Sequence, residues 1–167
     1  MQSSKHHFLL HLNKIYIMGI FSENTESKLN SLLEKSYDAE KGFEKACENV
    51  ESSAIKSFFK EKAEERRKFR TELRKELLDN GCEINEDSGS IKGAIHRTWM
   101  DTKALFSSDD EESMLEEVRN GEKAALNDYN DVLEDNQLPP TTENILKLQR
   151  NAIESSYNKA DYLEEVL

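Results

Sequence analysis

The first 138 residues contain no proline, and the only two in the chain stand side by side at Pro139 and Pro140. With 6 glycines besides, the chain lacks the turn residues that an all-β fold needs about every 8–12 positions. Long stretches free of both breakers are what helices require. At 167 residues the chain is the size of one domain, on the soft prior of about 100–200 residues each.

From Asn24 onward, apolar residues recur at helical spacing in long segments separated by short breaks, which predicts an antiparallel all-α bundle. In the first segment Leu29, Leu33, Ser36, Glu40, Phe43, Cys47 and Val50 follow an unbroken four-three spacing, which places Glu40 on the inward stripe. Glu51-Ser52-Ser53 then breaks the pattern and offers a serine cap. The second stripe runs Ile55, Phe59, Lys62, Arg66, Phe69 and Leu73, and stops at Asn80-Gly81. A fourth segment is striped by Leu115, Val118, Glu122, Ala125, Tyr129 and Val132, with Ser108 and Glu111 as a capping box before it. The last starts at the prolines and carries Leu146, Gln149, Ile153, Tyr157, Ala160 and Leu163. These patterns predict long helices over 26–50, 54–80, 109–135 and 141–165. A shorter fifth helix over 90–106 would carry the chain from one end of the bundle to the other.

The two hairpins repeat one another weakly. Aligning Ala39–Val50 with Gly121–Val132 pairs Glu40 with Glu122, Lys41 with Lys123 and Val50 with Val132. Residues on antiparallel neighbours lie level when their mean number falls at the turn between them. Glu40 and Arg66 are level by this rule, as are Glu122 and either Glu154 or Tyr157. Each hairpin therefore brings an inward glutamate to the height of a polar partner. An ionised carboxylate inside a bundle must be paired or bound to a metal, and a guanidinium, with five donors in a planar fork, can serve two of them. The expected arrangement is Arg66 bonded to Glu40, Glu122 or both.

Charge and composition exclude several functions. Asp and Glu number 34 against 23 Lys and Arg, a net charge of -11, which repels nucleic acid and anionic lipid alike. No nucleic-acid or membrane partner is therefore expected. Two cysteines are too few for a disulfide framework and fit a reducing, cytoplasmic compartment; Cys47 reads as a buried core residue and Cys82 as an exposed loop thiol. Residues 1–17 hold three of the four histidines and no acid. Their apolar run is too short and interrupted for a membrane span, and no small-x-small cleavage site follows, so they read as a flexible leader or an upstream start with Met18 the true beginning. The acidic stretches Ser108–Glu117 and Asp128–Asp135 lack calcium-loop spacing and read as solvated helix faces.

Ser88–Lys103, SGSIKGAIHRTWMDTK, with its His96-Arg97 and Trp99-Met100-Asp101 elements, resembles the inter-hairpin helix of an uncharacterised bacterial family in the ferritin-like superfamily, a domain of unknown function. The segments AEKGFEKA, FFKEKAEERRKF and NGEKAALNDY are similar to that family's helices, and the likeness covers about residues 26–165. It implies a single ferritin-like four-helix bundle over 18–167 with a crossover helix between the hairpins. Ferritin-like di-iron proteins take a Glu from each of two helices and a Glu-x-x-His from each of the other two. Glu40 and Glu122 match the single glutamates, but Arg66 and Phe69 stand where one Glu-x-x-His should be, and Glu154 and Tyr157 are the nearest match to the other. After Met18 the only histidine is His96, outside either motif. The expectation is a non-enzymatic interaction or stress-associated protein. It would bind no cofactor, and an Arg-Glu ion pair would replace its metal layer. A homo-oligomer or protein contact would form through the crossover helix. The alternative is a residual carboxylate-based iron-binding or di-iron oxidase protein.

Overall fold

A computed structural model describes residues 20–84 and 111–166. Among them every regular element is a helix: α1 (Glu23–Glu48), α2 (Ser53–Asp79), α3 (Glu111–Leu133) and α4 (Pro140–Glu165). The observed ends fall within three residues of the expected ones, because local chemistry sets them. Ser22 caps α1 by accepting the Thr25 N–H, and Ser52 caps α2 by accepting that of Ile55. After α2, Gly81 takes a left-handed φ of 76°, the Cys82 N–H bonds the Leu77 carbonyl, and the Gly81 N–H bonds that of Leu78. This pairing closes a helix on a glycine. Pro140 opens α4, where its missing N–H costs nothing.

The reversal at Gly81 carries Cys82 into the core beside Phe21. Cys82 is thus buried rather than an exposed thiol, and burial, with Glu26 nearby, pushes its thiol up to about 11. Cys47 is only half-buried, and Ala46 takes the inward place beside it. The assignment of Cys82 is overturned, while Cys47 packs against the core only in part, since a stripe of apolar spacing cannot choose between neighbours i and i+1.

α1 packs along α2 and α3 along α4, and the hairpins meet through α1 against α3 and α2 against α4. The helix ends fix the directions. The Glu83 N–H bonds Glu26 at the start of α1, while Glu111 Oε1 accepts the N–H groups of Glu51 and Ser52 at its far end, at 2.9 and 2.8 Å. Residues 84 and 111 therefore stand at opposite ends of the bundle, as a crossover demands. Glu111 thus caps the α2 start from another helix. Its expected capping partner Ser108, the leader, and the expected crossover helix with His96, Arg97 and Trp99 lie outside the described residues.

The core divides in two. One cluster holds Leu29, Leu33, Leu73, Leu77, Val132 and Leu146; the other holds Phe43, Ile55, Phe58, Phe59, Leu115 and Ala160. Between them every helix contributes a buried polar residue: Ser36 and Glu40 from α1, Arg66 from α2, Glu122 from α3 and Ser156 from α4.

Candidate functional site: a polar layer between two apolar cores

Arg66 reaches from α2 across the bundle diagonal to α3, where its Nη2 lies 2.5 Å from both carboxylate oxygens of Glu122. Both side chains are at most 5% exposed. Ser156, wholly buried on α4, donates its hydroxyl to Glu122 Oε1. Burial pushes the Glu122 carboxyl up, and the Arg66 charge and the Ser156 hydrogen bond oppose that push. The guanidinium lies over two rings, with Cζ 5.1 Å from the Phe69 centroid and 5.8 Å from that of Phe43. Each ring face attracts the cation as well as packing it.

Glu40 is served separately. Arg67 Nε is 3.0 Å from its Oε1 and Arg70 Nε 3.3 Å from its Oε2. Arg67 also reaches Glu44 and Glu64. The expected pairing of Arg66 with Glu122 is present, and that with Glu40 is absent. Residue numbers give height along the helix but not direction: residues 66 and 67 point about 100° apart, so Arg67 and Arg70 look toward α1 while Arg66 looks to the bundle centre.

The expected fourth-helix residues are displaced likewise. Glu154 is exposed and pairs with Arg150, its neighbour one turn back. Tyr157 is half-buried, and Ser156 occupies the inward position. The series Thr142, Leu146, Gln149, Ile153, Ser156, Ala160, Leu163 keeps a perfect four-three alternation, a signal in the sequence that the larger tyrosine masked. A second polar group sits nearby: Tyr129 donates to Gln149 Oε1 at 2.7 Å, and Gln149 Nε2 donates to Glu72 at 2.9 Å. Glu76, also buried, accepts the Thr141 and Thr142 hydroxyls and ties α2 to the start of α4.

The chain matches the family model described as Domain of unknown function (DUF2383) over residues 24–135, well over half its length. The chain belongs to the DUF2383 family. A solved structure titled as a dodecameric thioferritin, the bacterioferritin-related protein of Bacteroides fragilis, is similar to it at 17% identity with a TM-score of 0.74. That match covers 92% of this chain and 94% of the other. At this identity the likeness establishes the ferritin-like fold alone. No curated protein matches the chain.

The fold family implies a di-iron centre, and the donor set can be tested against one. Glu40 and Glu122 are carboxylates on two helices, but each is engaged by guanidinium groups. α2 offers Arg66 and Phe69 where Glu and His are required, and α4 offers the Ser156 hydroxyl. Histidine does not occur among the described residues, and no group of three or more His, Cys, Asp or Glu there is placed to hold a metal ion. These residues do not fit a di-iron cluster.

Asp38, between Ser36 and Glu40 on α1, carries a separate signature. Its Oδ1 is buried without a hydrogen-bond partner, and burial and Glu34 push its carboxyl up to about 6, from 3.8. A carboxyl whose folded pKa is raised takes up a proton on folding, so its ionisation opposes the fold as pH rises from about 4 through 6. Asp38→Asn is expected to raise the melting midpoint at neutral pH, with the difference from wild type vanishing below about pH 4. Thermal melts across that range check this, and a midpoint lowered at neutral pH would contradict it.

Proposed function

We infer that this DUF2383 protein is a non-enzymatic ferritin-like bundle whose metal layer has become a structural salt-bridge layer. The single observation that carries this is Arg66 Nη2 against both oxygens of Glu122 in the bundle centre, with Ser156 as the third partner. The Arg66 cation neutralises the Glu122 carboxylate that a metal would otherwise neutralise, and Arg67 and Arg70 do the same for Glu40. The protein's role is then one of interaction, in the cytoplasm, through its surface. Self-association belongs to this reading: the similar solved structure is described as dodecameric, and Leu148 and Tyr162 on α4 and Val166 just after it are more than half exposed. No described helix is long and apolar enough to cross a membrane.

Anaerobic purification followed by ferrous iron titration, read by elemental analysis and by absorbance on admitting oxygen, tests the reading. No stoichiometric iron and no accelerated oxidation are expected. Two tightly held irons per chain would overturn it in favour of a carboxylate-based oxidase.

A further inference from the structure

The two hairpins do not close on one another along their whole length. Between α1 and α3 a groove of about 340 Å³ remains, within the range of small-molecule sites, roughly 300–1,000 Å³. Small residues open it: Ala39, Gly42 and Ala46 on α1 stand across from Gly121, Ala124 and Ala125 on α3. A methyl group added at Gly121 would meet nothing within 4 Å, so the gap is room for atoms and not close backbone packing. Leu32, Phe43, Val118 and Ile153 supply apolar walls.

Two residues lining this groove have buried polar atoms without a hydrogen-bond partner among the described residues: Arg66 at Nε, a donor that no cation can satisfy, and Asp38 at Oδ1, an acceptor open to one. Arg66 is 3% exposed, and its Nη2 is already taken by Glu122. Unmatched buried polar atoms are rare in native proteins, and the unmatched acceptor of Asp38 points to a donor brought by a water, an ion or a ligand.

The charge around the groove is one-sided. Asp38, Glu117 and Asp128 line it against Lys35, which Asp128 holds at 2.6 Å. Asp38 has no such cation among the described residues. The inner guanidinium is neutralised by Glu122 and has little to offer an anion. The groove therefore lacks a positive charge beside Asp38 and a hydrocarbon body against its walls.

We propose that the groove between α1 and α3 binds a small aliphatic ammonium ion, with its N–H donors on Asp38 and its hydrocarbon chain along Phe43 and Val118. A fatty acid of the same size meets three carboxylates at the rim, and an alcohol leaves the Asp38 charge uncompensated. The proposal is independent of the salt-bridge reading of the polar layer, because Asp38 belongs to neither ion pair there.

Hexylamine, 1-hexanol and hexanoate, matched in chain length, are titrated into the full chain near neutral pH and followed by calorimetry and by NMR shifts of assigned groove residues. Hexylamine is expected to shift resonances of α1 and α3 along the groove. It should bind about ten-fold or more tightly than the alcohol, the worth of one charge-assisted hydrogen bond, with hexanoate the weakest. Asp38→Asn should lower the amine to the level of the alcohol and leave the alcohol unchanged. Gly121→Leu fills the groove and should abolish binding of both. Leucine is the better helix former, so helical circular dichroism and the melting midpoint should be retained, which separates loss of the site from loss of the fold. Equal binding of amine and alcohol, or an Asp38→Asn variant that still binds hexylamine as the wild type does, overturns the assignment. So does the absence of shifts with all three compounds, the result expected where another part of the chain or a second copy fills the groove.

Discussion

Replacing Arg66 by methionine is expected to destabilise the chain by about 3–5 kcal/mol, the usual cost of removing one partner of a buried ion pair. Glu122 would be left in the bundle centre with only the Ser156 hydroxyl, and at neutral pH its carboxylate would have to be desolvated without a cation or protonated. Glu122→Gln in the Arg66→Met background should restore much of the loss, because an amide and a thioether of similar volume leave no charge behind. Glu40 needs no compensating change, since Arg67 and Arg70 hold it. Urea denaturation at neutral pH of the wild type, both single variants and the double variant measures this, and the coupling between the sites is the decisive number. A nearly neutral Arg66→Met, together with a wild type that loses stability to a chelator, would mean that the layer is a metal site after all.

Phe59→Ala is expected to cost a similar amount, about 3–5 kcal/mol, for a different reason. Phe59 is 0% exposed and stands 5.6 Å from the Phe58 ring and 6.2 Å from that of Phe43. Deleting the ring removes its transfer free energy and opens a cavity that a helix pair braced by Phe43, Ile55 and Leu115 can only partly collapse. The melting midpoint should fall by roughly ten degrees, at about 2–4 °C per kcal/mol for a chain of this size. Phe58→Ala, one position along, keeps the Phe59 plug in place and should cost less. Equal losses for the two would show that the second core cluster is not organised around Phe59.

The two predictions probe different layers, and those layers differed in how far the sequence exposed them. Helix positions were legible because their signals are local. Ser22 and Ser52 cap within their own first turns, Gly81 stops α2 through bonds to Leu77 and Leu78, and Pro140 opens α4. The inward stripe is equally plain wherever four-three spacing is unbroken, and it places Glu40, Arg66, Phe69 and Glu122 on inward faces. The stripe failed where two adjacent residues both satisfied the spacing: Ala46 against Cys47, and Ser156 against Tyr157. In both cases the smaller residue is the buried one.

Periodicity and terminator chemistry, acting over a few residues at a time, thus determined from the sequence alone that this chain forms four long helices and carries a carboxylate from each hairpin inward. Pairing was decided only by the tertiary structure. Whether Arg66 bonds Glu40 or Glu122 depends on rotations of about 100° per residue and on which helix lies across the diagonal. Neither is encoded in spacing along one helix. The same holds for the groove: Gly42, Gly121 and the alanines around them are unremarkable in the sequence. They enclose space only because packing elsewhere in the two hairpins fixes the separation of α1 and α3, and residues this small do not fill it.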